Sequence, residues 1–283
     1  MKISSVGRHF ARYVNRVVEA GKAEYPIPMV TNCPQGGFGT APAPLRGGGQ
    51  SGGPMPDAMD VWRAGAPRID LFAADIYSAD FTGYCAKYSQ SGNPLFIAET
   101  GGGPEIKARA LYVFGRHDAM AFSPFGIDRM VGGDPDVVGY GLLAQLAPLI
   151  LEHQGKGEMS AVMLKPSDPL QKIPVGKYTI EVAPTRPRGA STTAPAQPTA
   201  SAAALFIATR PDEYFMVGNG VTVTFSSNTP GTPLAGLGTV EEGTFVNGRW
   251  VPGRLLAGDD TEEGDYLFLR NNGIMRVTVY RYR

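Results

Sequence analysis

Two cysteines, Cys33 and Cys85, are too few for a disulfide framework or a four-cysteine zinc site, and the three histidines, His9, His117 and His153, lack the spacing of metal ligands. No structural metal is expected. Charge of one sign is also missing. The 26 Lys and Arg balance 26 Asp and Glu, so there is no summed field to attract a phosphate backbone or an anionic bilayer, and neither nucleic acid nor a membrane is expected as a partner. No apolar run reaches the roughly 18 residues of a spanning helix, and Met1-Lys2-Ile3-Ser4-Ser5-Val6-Gly7 has no signal-peptide core. A cytoplasmic location is the default expectation. What is abundant is turn chemistry: 37 Gly and 24 Pro against only 18% charged residues, which points to many loops and to function carried on them.

Residues 5–20 set Val6, Phe10, Tyr13, Val14, Val17 and Val18 at helical spacing, with Gly21 as a stop. A strand is expected over 25–32, ending on Asn32, and a long Gly/Pro-rich loop over 34–56. The pattern then repeats: helix 57–64, strand 68–77, helix 80–90, strand 94–99, helix 105–117, strand 119–125, helix 135–151. Strands alternating with helices imply a parallel sheet with right-handed crossovers. In such architectures, sites assemble at the C-terminal strand ends, which here carry Asn32, Asp75 with Tyr77, Glu99, and Ser123 with Phe125.

From about residue 158 the period shortens. Runs at 160–164, 176–182, 204–208, 213–217, 221–226, 239–247, 266–269 and 275–282 alternate between apolar and polar, which predicts an all-β region built as a sandwich. The Ala/Pro/Ser/Thr-rich stretch 184–204 reads as a low-complexity surface excursion within it. The expected domains are therefore 1–157, α/β, and 158–283, all-β. No group of exposed aromatics is expected in the second, so its role reads as structural.

The phrase Pro94-Leu95-Phe96-Ile97-Ala98-Glu99-Thr100-Gly101-Gly102-Gly103 places a carboxylate at the end of an apolar strand just before three glycines. Such an acid suits nucleophilic attack on an anomeric carbon or general-base work; the structural alternative is a helix cap or an ion pair with Arg109. Asp75 ends the neighbouring strand and is the better candidate for a second acid than Glu24, although a role in orienting hydroxyls weighs more heavily. Tyr77 is placed to bond the Glu99 carboxylate and hold it ionised, Asn32 and Ser123 to meet substrate hydroxyls, and Phe125 to offer a ring to a sugar face. His117 and Asp118, at the opposite end of their strand, read as packed or capping residues, and Trp62 and Trp250 as packing residues. The glycine clusters match no dinucleotide or phosphate-loop pattern, so no cofactor is expected, and Ser123-Pro124 lacks the setting of an esterase nucleophile.

Several phrases together resemble a known family. Asp75-Ile76-Tyr77, Phe96-Ile97-Ala98-Glu99, Phe114-Gly115-Arg116-His117-Asp118-Ala119 and Phe122-Ser123-Pro124-Phe125-Gly126-Ile127-Asp128 look like the second half of the barrel of bacterial β-galactosidase-type glycoside hydrolases. These lie near families 35 and 42, in the clan of retaining (β/α)8 enzymes. Residues 238–254 resemble the β domain that follows that barrel. The resemblance implies a half (β/α)8 barrel followed by a β-sandwich, a carbohydrate substrate, and Glu99 as the nucleophile ending the seventh strand. It also places the usual acid/base glutamate on a fourth strand that has no counterpart among the four read here. The alternative is a catalytically impaired carbohydrate-binding or scaffold protein. The resemblance is compatible with export of longer relatives. A half barrel leaves open sheet edges, so a homodimer that closes the barrel is expected.

Overall fold

A computed structural model of the chain describes residues 2–34, 53–90, 92–129, 135–185, 201–269 and 273–283. Most of the expected Gly/Pro loop at 34–56 and of the expected excursion at 184–204 lies outside the described residues. The chain divides into two compact units: Met1–Gly102 with Ala119–Ile127, and Gly103–Asp118 with Asp128–Arg283. Among the described residues, no helix is long and apolar enough to cross a membrane.

The first unit holds α1 (Lys2–Glu24), β1 (Val30–Pro34), α2 (Met59–Gly65), β2 (Leu71–Ile76), α3 (Phe81–Tyr88), β3 (Phe96–Thr100) and β4 (Ala121–Pro124). Its sheet has the order β1-β2-β3-β4 and every pairing is parallel. Strand β2 is buried at all six positions, as expected of a central strand in a parallel sheet. The helix expected to stop at Gly21 continues to Glu24, where Pro26 ends it by disfavouring helical geometry at Tyr25. Strand β1 starts at Val30 and not at Tyr25, because Pro26 and Pro28 have no N–H to give to a ladder. Asp70 ties these pieces together, accepting from Lys22 Nζ at 2.6 Å and from the Met29 amide at 2.6 Å. The Lys22 bond, then the Met29 bond, hold its carboxyl below the usual range.

Helix α1 buries a different stripe from the one its large residues mark. Ala11 and Val18 are buried, whereas Phe10, Tyr13 and Val17 are each more than half exposed. The reason is a close crossing with α2: a Cβ on Gly65 would fall 2.7 Å from the Ala11 Cβ, so the two helices meet at small residues.

The second unit holds α4 (Ile106–His117) and α5 (Pro135–His153), followed by β5 (Met159–Leu164), β6 (Gln171–Val175), β7 (Tyr178–Pro184), β8 (Ala202–Arg210), β9 (Glu213–Asn219), β10 (Val221–Ser227), β11 (Leu234–Val246), β12 (Arg249–Leu256), β13 (Leu267–Leu269) and β14 (Ile274–Tyr282). These strands make one antiparallel sheet of order β5-β8-β9-β14-β11-β10-β7-β6, with β12 on β11 and β13 on β10. Its two ends touch, β5 against β6 and β7, so one sheet curls nearly closed around the core where a sandwich of two sheets was expected. That core contains Phe206, Tyr214, Met216, Val223, Leu267 and Val277 among others. Helix α4 packs on β5 and β8, and α5 on α4, β8 and β11. The seat of α4 is Gly115, where a Cβ would come 2.3 Å from Leu205 Cδ1 and 2.9 Å from the Ser160 carbonyl oxygen.

The expectation of no exposed aromatic group in the β region is not met. Tyr280, Tyr282 and Tyr266 each keep more than 40% of their surface exposed.

Candidate active site

The site is set by an irregularity in β3. Strand β2 pairs with β3 as Ala74↔Ile97 and then Asp75↔Glu99, so β3 carries one extra residue, Ala98, at that point. The pairing of β3 with β4 slips over the same stretch, from Ile97↔Phe122 to Thr100↔Pro124. A bulge of this kind re-aims a side chain at a strand end. Here it brings Glu99 opposite Asp75, on the face that Asp75 shares with Ala73 and, across the ladder, with Asn32. Below the bulge the strands are locked again: Thr100 Oγ1 donates to the Ile76 carbonyl at 2.7 Å, and the Phe125 amide donates to the Thr100 carbonyl at 2.8 Å.

Four of the six residues singled out from the sequence therefore converge. The Tyr77 hydroxyl donates to Glu99 Oε1. Asn32 Nδ2 donates to Asp75 Oδ1 at 3.0 Å and Oδ2 at 2.9 Å. Asn32 was read as a residue for substrate hydroxyls; the structure gives its amide to Asp75. Asp75 is 4% exposed, whereas Glu99 and Tyr77 are half-buried. Burial raises the Asp75 pKa above its ordinary value, the charge of Glu99 adds to that, and the Asn32 bonds oppose it. Burial, followed by the bond to Glu99 and the charges of Glu99 and Asp75, raises the Tyr77 phenol as well, so it stays protonated and remains a donor. The arrangement is a carboxylate held by a phenol, beside a second carboxyl whose proton is retained more strongly than usual.

Ser123 and Phe125 stand exposed at the end of β4, one strand further on. Phe125 is 61% exposed, an aromatic surface at the same C-terminal rim. Arg109, the alternative partner considered for Glu99, is instead near Glu105, at 3.7 Å.

Sequence reasoning missed Asn93, which is buried and joins three elements. Its Oδ1 accepts from the Phe72 amide at 3.0 Å, and its Nδ2 donates to the carbonyls of Phe72 at 2.9 Å and Tyr88 at 3.0 Å. The Asn-Pro step at 93–94 was the available signal, a turn-forming dipeptide just before an apolar strand. His117, by contrast, has its pKa lowered to about 4 by burial and by Arg116, and Asp118 caps α4 in left-handed geometry, φ 49°. Trp62 packs edge-on to Phe72, and Trp250 packs against Phe215 and Phe245. In the second unit, Glu242, Arg254, Asp259, Asp260 and neighbours line a cavity of about 80 Å³. Arg254 is taken up there by Glu242 at 3.2 Å and Asp260 at 3.5 Å. No group of three or more His, Cys, Asp or Glu placed to hold a metal occurs among the described residues.

The sequence profile of a domain of unknown function (DUF5597) matches residues 138–267. No curated protein matches the chain. The matched stretch begins within α5 and reaches the first residue of β13, so Asn32, Asp75, Tyr77 and Glu99 all lie outside it.

Proposed function

We propose that the four-stranded parallel sheet belongs to a half (β/α)8 barrel of glycoside hydrolase type spanning residues 1–157, acting on β-galactoside-like or related β-linked sugars, with Glu99 as nucleophile and Asp75 as its acid/base partner. One observation carries the reading: the bulge in β3 sets two carboxyls opposite each other on neighbouring parallel strands, one held by a phenol and one with a raised pKa. Neighbouring strands lie about 4.8 Å apart. Carboxyls in register therefore stand closer to the roughly 5 Å of a retaining pair than to the roughly 6.5–9.5 Å of an inverting one.

In this chemistry Glu99 Oε2 attacks the anomeric carbon while Oε1 keeps the Tyr77 bond. The glycosidic C–O bond breaks, its electron pair leaves with the departing oxygen, and Asp75 gives that oxygen its proton. A water then attacks the glycosyl ester, Asp75 takes the water proton back, and Glu99 leaves as a carboxylate. Phe125 supplies an apolar face for the sugar, and Ser123 a hydroxyl. The test is Glu99→Gln, assayed with a dinitrophenyl β-galactoside. The wild type should show a burst of phenolate and the variant none; unchanged turnover in Glu99→Gln overturns the reading.

A second reading is a carbohydrate-binding protein without turnover, and it is favoured by the enclosure of Asp75, whose two oxygens both accept from Asn32. In that case the wild type binds aryl galactoside with no burst.

The partner we propose for the first unit is a second copy. Strands β1 and β4 are the sheet edges and no described strand pairs with either on its outer side, while Phe10, Tyr13 and Val17 form an exposed apolar stripe on α1. Pairing β1 of one copy with β4 of the other would give eight parallel strands about one two-fold axis. Sedimentation at micromolar concentration should show a dimer that Val30→Lys converts to monomer; an active wild-type monomer overturns the closure.

A further inference from the structure

We infer that Tyr280 and Tyr282, at the end of β14, form a stacking platform for a β-linked glycan chain on the sheet of the second unit, distinct from the carboxylate cluster. Strand alternation puts the two residues on one face. Their ring centroids are 5.7 Å apart with planes inclined by 34°. They are 53% and 42% exposed. Across the ladder, β11 places Gly236 opposite Tyr280 and Leu234 opposite Tyr282. A Cβ on Gly236 would lie 2.8 Å from both Cζ and Oη of Tyr280, so that ring is laid across bare glycine backbone. An aromatic resting on a cross-strand glycine turns one face to the sheet and the other to solvent. Leu234, itself 47% exposed, extends the apolar strip.

The chemistry of this surface selects among ligands. Leu234, Gly236, Tyr280 and Tyr282 carry no charge, so the strip has nothing for an anionic or cationic partner to pair with. A second protein chain needs about 800 Å² per side, while aromatics offer about 150–250 Å² each. Two tyrosines and a leucine fall short of that. A sugar chain fits. The flat face of a pyranose presents C–H bonds to the electron-rich face of a ring, with hydroxyls around its edge for the phenol oxygens. The 5.7 Å between rings is close to the length of one sugar along a β-linked chain, so each phenol would underlie one of two successive residues. The 34° between the two ring planes keeps them from offering one flat surface to a planar aromatic ligand.

The platform needs no catalysis at Glu99, and a chain without turnover isolates its binding. Calorimetry on the full chain carrying Glu99→Gln, which prevents turnover, would titrate galactohexaose, cellohexaose and xylohexaose, with α-linked maltohexaose for comparison. At least one β-linked hexaose should bind in the millimolar range or tighter. Tyr280→Leu and Tyr282→Ala, each with an unchanged melting curve, should weaken that binding by about three- to tenfold per ring. Three results overturn the platform: no heat with any of the β-linked hexaoses, equal affinity in the two tyrosine variants, or a dimer that dissociates when the tyrosines are replaced.

Discussion

Replacing Asp75 by asparagine separates proton transfer from positioning. The amide keeps the shape of the carboxyl and an acceptor for Asn32, which now spans both oxygens at 3.0 and 2.9 Å. It has no proton to give. Acid assistance is worth about 10²- to 10⁴-fold, or about 2.7–5.4 kcal/mol at 1.36 kcal/mol per decade. That loss should fall on substrates whose leaving group needs the proton, so kcat/KM for methyl β-galactoside should drop by about that factor. A dinitrophenolate leaves unaided and should lose less than about tenfold. The pH profile carries a second signature. Burial first, then the charge of Glu99, raises Asp75 against the Asn32 bonds, so the acid form persists to higher pH than in an ordinary aspartate and its loss sets the alkaline limb. Asp75→Asn should abolish that limb. Stability follows the same sign: a raised folded-state pKa makes the ionised group a cost that is absent below the unfolded value of about 3.9 and complete above the folded one. The variant should therefore lose less stability than the wild type as pH rises through that window. An equal loss of activity on both substrates would refute the acid role and leave Asp75 as a positioning residue.

Gly115→Ala should lower the urea midpoint. The helix-propensity gain of about 1 kcal/mol is outweighed by overpacking of about 1–3 kcal/mol, because Leu205 can rotate but the Ser160 carbonyl, 2.9 Å from the new Cβ, is backbone; a more stable variant would contradict that seat. Glu213→Gln should cost about 1–3 kcal/mol at neutral pH. Burial acts to raise Glu213, yet Arg276 at 3.0 and 2.6 Å and Thr209 at 2.8 Å hold it below its ordinary value. Its contribution is complete above the unfolded value of about 4.3 and disappears as pH falls through the folded one, so the variant should flatten the acid side of a stability curve. Asn93→Ala should lower Tm sharply, since each orphaned buried group on Phe72 and Tyr88 costs about 1–3 kcal/mol, and Asn93→Asp should not rescue it, because it restores no donor to those carbonyls.

The order of elements in the first unit was legible because each strand is a short apolar run bounded by Gly, Pro or Asn, and each helix between them has its own period. Boundaries moved where a local rule beat the pattern. Pro26 and not Gly21 ended α1, since a glycine inside a helix costs only about 1 kcal/mol and one before a proline-bounded turn is no stop. In the β region, β6 and β12 were missed although both follow or precede tight turns. Asn247 and Gly248, at φ 51° and 74°, are the left-handed pair that closes the β11–β12 hairpin, and Asn-Gly between apolar runs is the strongest short-range hairpin signal. The curl of one sheet in place of two could not be read locally, because it is a property of pairing order: β8, β9, β14 and β11 are neighbours in space while up to several dozen residues apart in sequence.

The site divides along the same line. Glu99 was legible from one segment, an acid closing an apolar strand, and the Tyr77 bond from two adjacent strand ends. What no segment reveals is the register between them. With unbroken pairing after Ala74↔Ile97, Asp75 would face Ala98, and Glu99 would fall opposite Ile76, on the other side of the sheet from Asp75. One extra residue in β3 reverses that at a cost in ladder regularity, and just beyond the bulge Thr100 Oγ1 donates to the Ile76 carbonyl. The pairing of two carboxyls on one face is therefore specified by a defect in hydrogen bonding that is long-range by nature, while the residue types that make the pair useful are local and visible in the chain.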